Sequence, residues 1–90
     1  MNFVLSREHL GKIVRFDELT VVTLPESVFK QGDILVMFNN TDKFTTIESK
    51  MAQTYRSGMP KVKSHLEFPP RCLINVVFVA DEIAIFTYGV

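Results

Sequence analysis

The chain has 90 residues, ten Lys/Arg against ten Asp/Glu, and 47% hydrophobic residues with no Trp and a single Cys. That length admits one domain and one core, and zero net charge removes any global field that would draw in nucleic acid or an anionic membrane. One Cys excludes an internal disulfide, and no apolar run approaches the roughly 20 residues that span a bilayer.

The apolar content is high for so small a core, so part of it is expected at an interface between copies. The N-terminus, Met1-Asn2-Phe3-Val4-Leu5-Ser6-Arg7-Glu8, lacks the basic-then-apolar pattern of a secretory signal, so synthesis in a cytosol is expected.

Taken in chain order, Ser6-Arg7-Glu8-His9-Leu10-Gly11 reads as one helical turn, capped by Ser6 and ended by Gly11 in the left-handed region. The period then becomes two. Lys12–Phe16 reads as a strand, Asp17-Glu18 as a turn, and Leu19–Leu24 as a strand rich in β-branched residues that Pro25 closes. Gln31-Gly32-Asp33 is a turn in which Gly32 supplies positive φ. Ile34–Phe38 is uninterruptedly apolar and reads as a strand covered on both faces. Asn39 and Asn40 open an expected hairpin loop, and Lys43–Glu48 is expected to pair back, with Phe44, Thr46 and Glu48 on one face.

Residues 49–68 read as an irregular basic loop holding short extended pieces at Gln53–Tyr55 and Leu66–Phe68. It carries Lys50, Arg56, Lys61 and Lys63 with no acid among them. Pro69-Pro70 forces an extended or turned backbone. Cys72–Ala80 and Ile83–Tyr88, joined by Asp81-Glu82, read as a central hairpin. The expected fold is all-β: a single compact β-sandwich or jelly-roll-like domain, residues 1–90, of seven to eight short strands with one N-terminal helical turn.

No chemistry-bearing constellation stands out. Cys72 opens a strand and reads as a small core residue rather than a nucleophile. His65 and His9 lack the Cys/His spacing of a zinc site, although His65 copies meeting on a threefold axis would offer three nitrogens. Asp17-Glu18 and Asp81-Glu82 fit turns. No phosphate-cradling Gly-rich motif is present. No catalytic residue, cofactor or metal is expected. The basic residues Lys50, Arg56, Lys61 and Lys63 are candidate partner-docking groups, alongside the plainer reading of a solvated loop. Leu35, Met37, Val77 and Val79 are candidate subunit-interface residues, and Gly11, Gly32, Asn39 and Asn40 candidate structural turns.

The ordered series Leu10–Phe16, Val21–Pro25, Phe29-Lys30-Gln31-Gly32-Asp33-Ile34, Asn39-Asn40, Phe44-Thr45-Thr46-Ile47 and the closing stretch Pro70–Val90 resembles a small all-β module of tailed-bacteriophage virion proteins. The departure is the cation-rich stretch from Met51 to Phe68. The resemblance implies a β-sandwich-like fold, often trimeric, with a structural or attachment role and no enzyme activity. A module standing alone implies a separately made virion component, assembled in the bacterial host cytoplasm. The first expectation is a trimeric capsid decoration (cement) protein contacting other virion proteins. The alternatives are a small tail-fibre, tail or baseplate component in host attachment, and a small β-barrel nucleic-acid binder.

Overall fold

The computed structural model describes residues 1–89; Val90, the last residue of the expected closing hairpin, lies outside the described residues. The chain forms nine strands and one 3-10 turn (Arg7–His9): β1 Asn2–Val4, β2 Ile13–Phe16, β3 Val21–Leu24, β4 Ile34–Asn39, β5 Thr45–Ser49, β6 Gln53–Arg56, β7 His65–Phe68, β8 Leu73–Ala80 and β9 Ile83–Gly89. The architecture is all-β and sandwich-like. A four-stranded sheet runs β1-β3-β5-β7 and a five-stranded sheet runs β2-β4-β8-β9-β6.

From β1 to β7 successive strands alternate between the sheets. Neighbours within a sheet are then often parallel: β1 with β3, β3 with β5, β2 with β4, and β6 with β9. Every short polar connection in this region is a crossover between layers. The expected hairpin at Asn39-Asn40 is one of these: β4 pairs β8 while β5 pairs β3 and β7. Neither Asn has positive φ. Asn39 instead ends β4 with its side chain buried, and Asn40 donates from Nδ2 to Asp17 at 2.8 Å. The expected β8–β9 hairpin is present, with β8 the middle strand of its sheet and a bulge between Phe78 and Ala80.

The period-2 pattern fills the space between the sheets. Val22 and Leu24, Leu35 and Met37, Ile47, Leu66 and Phe68, Ile74, Val76 and Phe78, and Ala84 and Phe86 all point inward and are buried. β4 alternates strictly, so Leu35 and Met37 belong to the core of one copy and not to a subunit interface. The outward residues of that strand are Ile34, Val36 and Phe38.

The helical turn is present, but the expected side-chain cap by Ser6 is replaced by a bond from its backbone to the His9 ring. Ser6 N–H donates to His9 Nδ1 at 2.9 Å, and Gly11 follows at φ +76°. Gly32 has φ +91°, and its N–H donates to Phe78 O at 2.8 Å. Nothing lies within 4 Å of where its Cβ would stand. Gly32→Val is therefore expected to act through backbone strain alone, lowering stability by about 1–3 kcal/mol. An unchanged denaturation midpoint would contradict that turn.

Asp33, one residue on, accepts from Lys30 N–H at 2.8 Å and Arg7 Nη1 at 2.9 Å. These bonds, the Lys30 one foremost, hold its carboxyl below the usual value. Asp17, bonded by Asn40 and Arg15, is shifted the same way. A depressed folded-state pKa contributes stability above the unfolded value, and that contribution is lost as pH falls through the folded one. Acid titration is thus expected to release the Arg7–Asp33 and Arg15–Asp17 pairs below the ordinary carboxylate range, which NMR titration of the two carboxyls would show.

Candidate functional site

The two sheets present opposite outer faces. On the four-stranded sheet the outward residues are Asn2, Val4, Val21, Thr23, Thr46, Glu48, His65 and Glu67, a mixed polar face suited to solvent. On the five-stranded sheet, three rows run across the strands in register. Ile34, Val77, Ile85 and Tyr55 form one. Ile13, Val36, Asn75 and Thr87 form the second. Arg15, Phe38, Leu73 and Gly89 form the third. Val79, displaced by the bulge, adds a further outward side chain at 49% exposure. Arg15 is the one charged residue in these rows and is ion-paired with Asp17 at 2.9 Å.

Strand spacing makes this face about 24 Å wide, and its rows make it about 20 Å long, an area on the order of 450 Å². That matches the largest apolar patches of typical monomers, about 300–600 Å², which are often functional. Within the three rows, Ile13 at 66%, Ile34 at 53% and Leu73 at 46% exposure are the most exposed apolar members, while Val36, Phe38, Val77, Ile85 and Tyr55 are half-buried. Of the expected interface residues, Val77 and Val79 lie on this face; Leu35 and Met37, as described, lie beneath it.

The basic segment is more ordered than an irregular loop. It contains β6 and β7, and only residues 50–52 and 57–64 lack strand structure. Arg56 is committed within the molecule. Its guanidinium carbon lies 4.7 Å from the Phe68 ring centre and 5.1 Å from that of Tyr88, and Nη2 donates to Glu67 O at 2.9 Å. It thereby closes the side of the sandwich where β6 and β7 are the edge strands. Lys50, Lys61 and Lys63 are exposed and have no ion pair among the described residues. Lys63, Arg56 and His65 line a shallow cavity of about 330 Å³ beside the exposed Phe44 ring.

Cys72 is buried, and burial pushes its thiol up, disfavouring the thiolate that a nucleophile needs. Asp17 and Asp81 serve turns, the latter accepting from Gln31 N–H at 2.8 Å. Among the described residues no group of three His, Cys, Asp or Glu is placed to hold a metal ion. No described helix is long and apolar enough to cross a membrane.

The sequence reading missed two features. β1 was hidden by its three-residue length. Phe38 and Val36 were hidden because an all-apolar strand does not announce which parity faces inward.

Fold and surface together define a small all-β sandwich-like domain with one polar and one apolar outer face. No protein-family model, curated protein or solved structure matches the chain.

Proposed function

We propose that this protein is a non-enzymatic structural component of a tailed-phage virion, a capsid decoration protein that works as a homotrimer. The observation that carries the assembly role is the uncovered apolar face of the five-stranded sheet. A face of mostly Ile, Val, Leu and Phe at β positions, with Asn75 and Thr87 as its neutral polar members and its one charge neutralised at a corner, fits an interface core better than a solvated monomer surface. The virion assignment rests on the ordered motif series. Positive φ at Gly11 and Gly32 agrees with two turns of the series, while its Asn39-Asn40 hairpin is a crossover instead. Of the expected docking cations, Lys50, Lys61 and Lys63 are exposed and without an ion pair among the described residues, so they are the ones left for contact with another chain, since Arg56 is engaged internally.

The expected result is a trimer by sedimentation at micromolar concentration, and three-copy clusters on particles. Val77→Lys places a charge in the middle of the face without touching the core and is expected to yield folded monomers. A wild-type monomer at micromolar concentration together with isolated copies on the particle would defeat the reading.

A further inference from the structure

A second surface points to how copies meet. At the end of the sandwich where β6 and β9 begin, the β3–β4 connection, the β5–β6 turn and the β8–β9 turn enclose a groove of about 390 Å³. Phe29 and Met51 supply apolar wall, and Glu26, Asp81 and Glu82 supply three carboxylates against one cation, Lys30. None of the three acids is in a salt bridge among the described residues. Asp81 is fixed in place by its bond from Gln31 N–H at 2.8 Å.

The complementary surface belongs to the same chain. The segment from Ser57 to His65 is exposed throughout. It presents Met59 at 52% and Val62 at 51% exposure, interleaved with Lys61 and Lys63, and no acid occurs between Glu48 and Glu67. Its base is braced rather than loose: Ser57 N–H donates to Phe86 O, and Lys63 N–H to Thr54 O, both at 2.8 Å. It leaves β6 at the far end of that strand, about 13 Å from where β6 begins. No residue of the segment lines the molecule's own groove.

We infer that the groove is the socket for the 57–65 segment of a second copy, with Lys61 and Lys63 against Glu26 and Glu82, and Met59 or Val62 against Phe29 and Met51. The contact joins two different patches; taken head to tail it is heterologous, giving a ring where the rotation closes and a filament where it does not, and exchanged reciprocally it gives a twofold pair. It rests on the reading that the chain assembles with itself, and it adds the direction in which neighbours follow one another.

The test is a charge exchange, read by sedimentation at about 0.01 M and 1 M salt, where the screening lengths are about 30 Å and 3 Å. Lys61→Glu with Lys63→Glu gives an acidic segment facing an acidic groove. Glu26→Lys with Glu82→Lys gives a basic segment facing a basic groove. Each double variant alone is expected to associate at least about tenfold more weakly than wild type at low salt, with an unchanged thermal melt. An equimolar mixture is expected to associate more strongly than either variant alone, because each variant's segment then fits the other's groove, although a ring of three always keeps one like-charged contact. Either double variant associating like wild type at low salt, or a mixture no better than its components, overturns the contact.

Val77→Lys separates this from the sheet-face reading. If it is monomeric while the charge variants assemble normally, the socket falls and the face stands. If it assembles normally while the charge exchange behaves as described, the face falls and the socket stands. A monomeric wild type at low salt overturns both.

Discussion

Phe68→Ala is expected to remove about half of the protein's stability. Phe68 is fully buried on β7, the last strand of the four-stranded sheet, yet its ring partners belong to the other layer. It stacks on Phe86 with ring centres 5.8 Å apart and meets the edge of Tyr88 at 5.6 Å, while the Arg56 guanidinium covers it. Truncating a buried aromatic costs about 3–5 kcal/mol through lost burial and the cavity left behind. A 90-residue domain at 0.05–0.15 kcal/mol per residue has only about 5–13 kcal/mol in total. At about 4–8 °C per kcal/mol for a domain of this size, the melting temperature should fall by about 15–30 °C. A drop under about 5 °C in a circular-dichroism melt would mean that the two sheets are not joined through this ring. Arg56→Ala tests the lid separately. It removes the cation–π contact and uncovers the Glu67 carbonyl, and is expected to cost about 1–2 kcal/mol.

The second large effect lies at the opposite corner. Asn39 ends β4 with no exposed surface. Its Nδ2 donates to Lys43 O at 2.8 Å and to Pro69 O at 3.0 Å, and its Oδ1 accepts from Thr41 Oγ1 at 2.7 Å. One amide thereby ties the β4–β5 crossover to the Pro69-Pro70 turn ahead of β8. Asn39→Leu keeps similar bulk but removes both amide bonds; Thr41 Oγ1, 3.0 Å from Lys43 O, still donates there, so Pro69 O is the carbonyl left without this donor, at about 1–3 kcal/mol.

Asn39→Asp is the sharper probe. At neutral pH a carboxylate would face two carbonyl oxygens, so the folded state favours the protonated acid and raises its pKa above the unfolded value of about 3.9. The variant should therefore be strongly destabilised at pH 7. It should recover relative to wild type as pH falls through that raised pKa, because the neutral acid can donate one of the two lost bonds. Chemical denaturation of both proteins at pH 7 and pH 4.5 measures the difference. A gap that does not narrow in acid would place the side chain elsewhere.

How much of this was legible in the sequence depended on whether the information was local. Gly11 and Gly32 were readable because positive φ is a one-residue property with one favoured residue. The β8–β9 hairpin was readable because two long apolar runs flank a two-residue acidic turn. The β4–β5 region was not. An apolar run followed by Asn-Asn-Thr-Asp has the same local signature whether the next strand returns beside the first or crosses to the other layer. Nothing within Asn39–Asp42 specifies that β4 will be met by Leu73–Val77 instead. The outer face proposed as an interface was half legible for a related reason. Composition showed surplus apolar surface, but in Ile34–Phe38 every residue is apolar, so Leu35 and Met37 were as eligible as Val36 and Phe38 until the register set the parity. Arg56 looked free because the rings that hold it stand 12 and 32 residues further along the chain.

The alternation of strands between layers also governs when the protein can fold. Among all the described strand pairings, only β8 with β9 joins neighbours in the chain. The five-stranded sheet has no middle until β8 exists, since β4 and β9 both pair with it and β6 is reached only through β9. During synthesis, β2, β4 and β6 must wait as unpaired or half-paired segments until residues 73–89 emerge. Pairings this distant in sequence fold slowly, and Ile34–Phe38 stays sticky for the whole delay. Residues 73–89 thus set the clock, and losing them is expected to leave the earlier strands aggregated rather than a smaller folded domain.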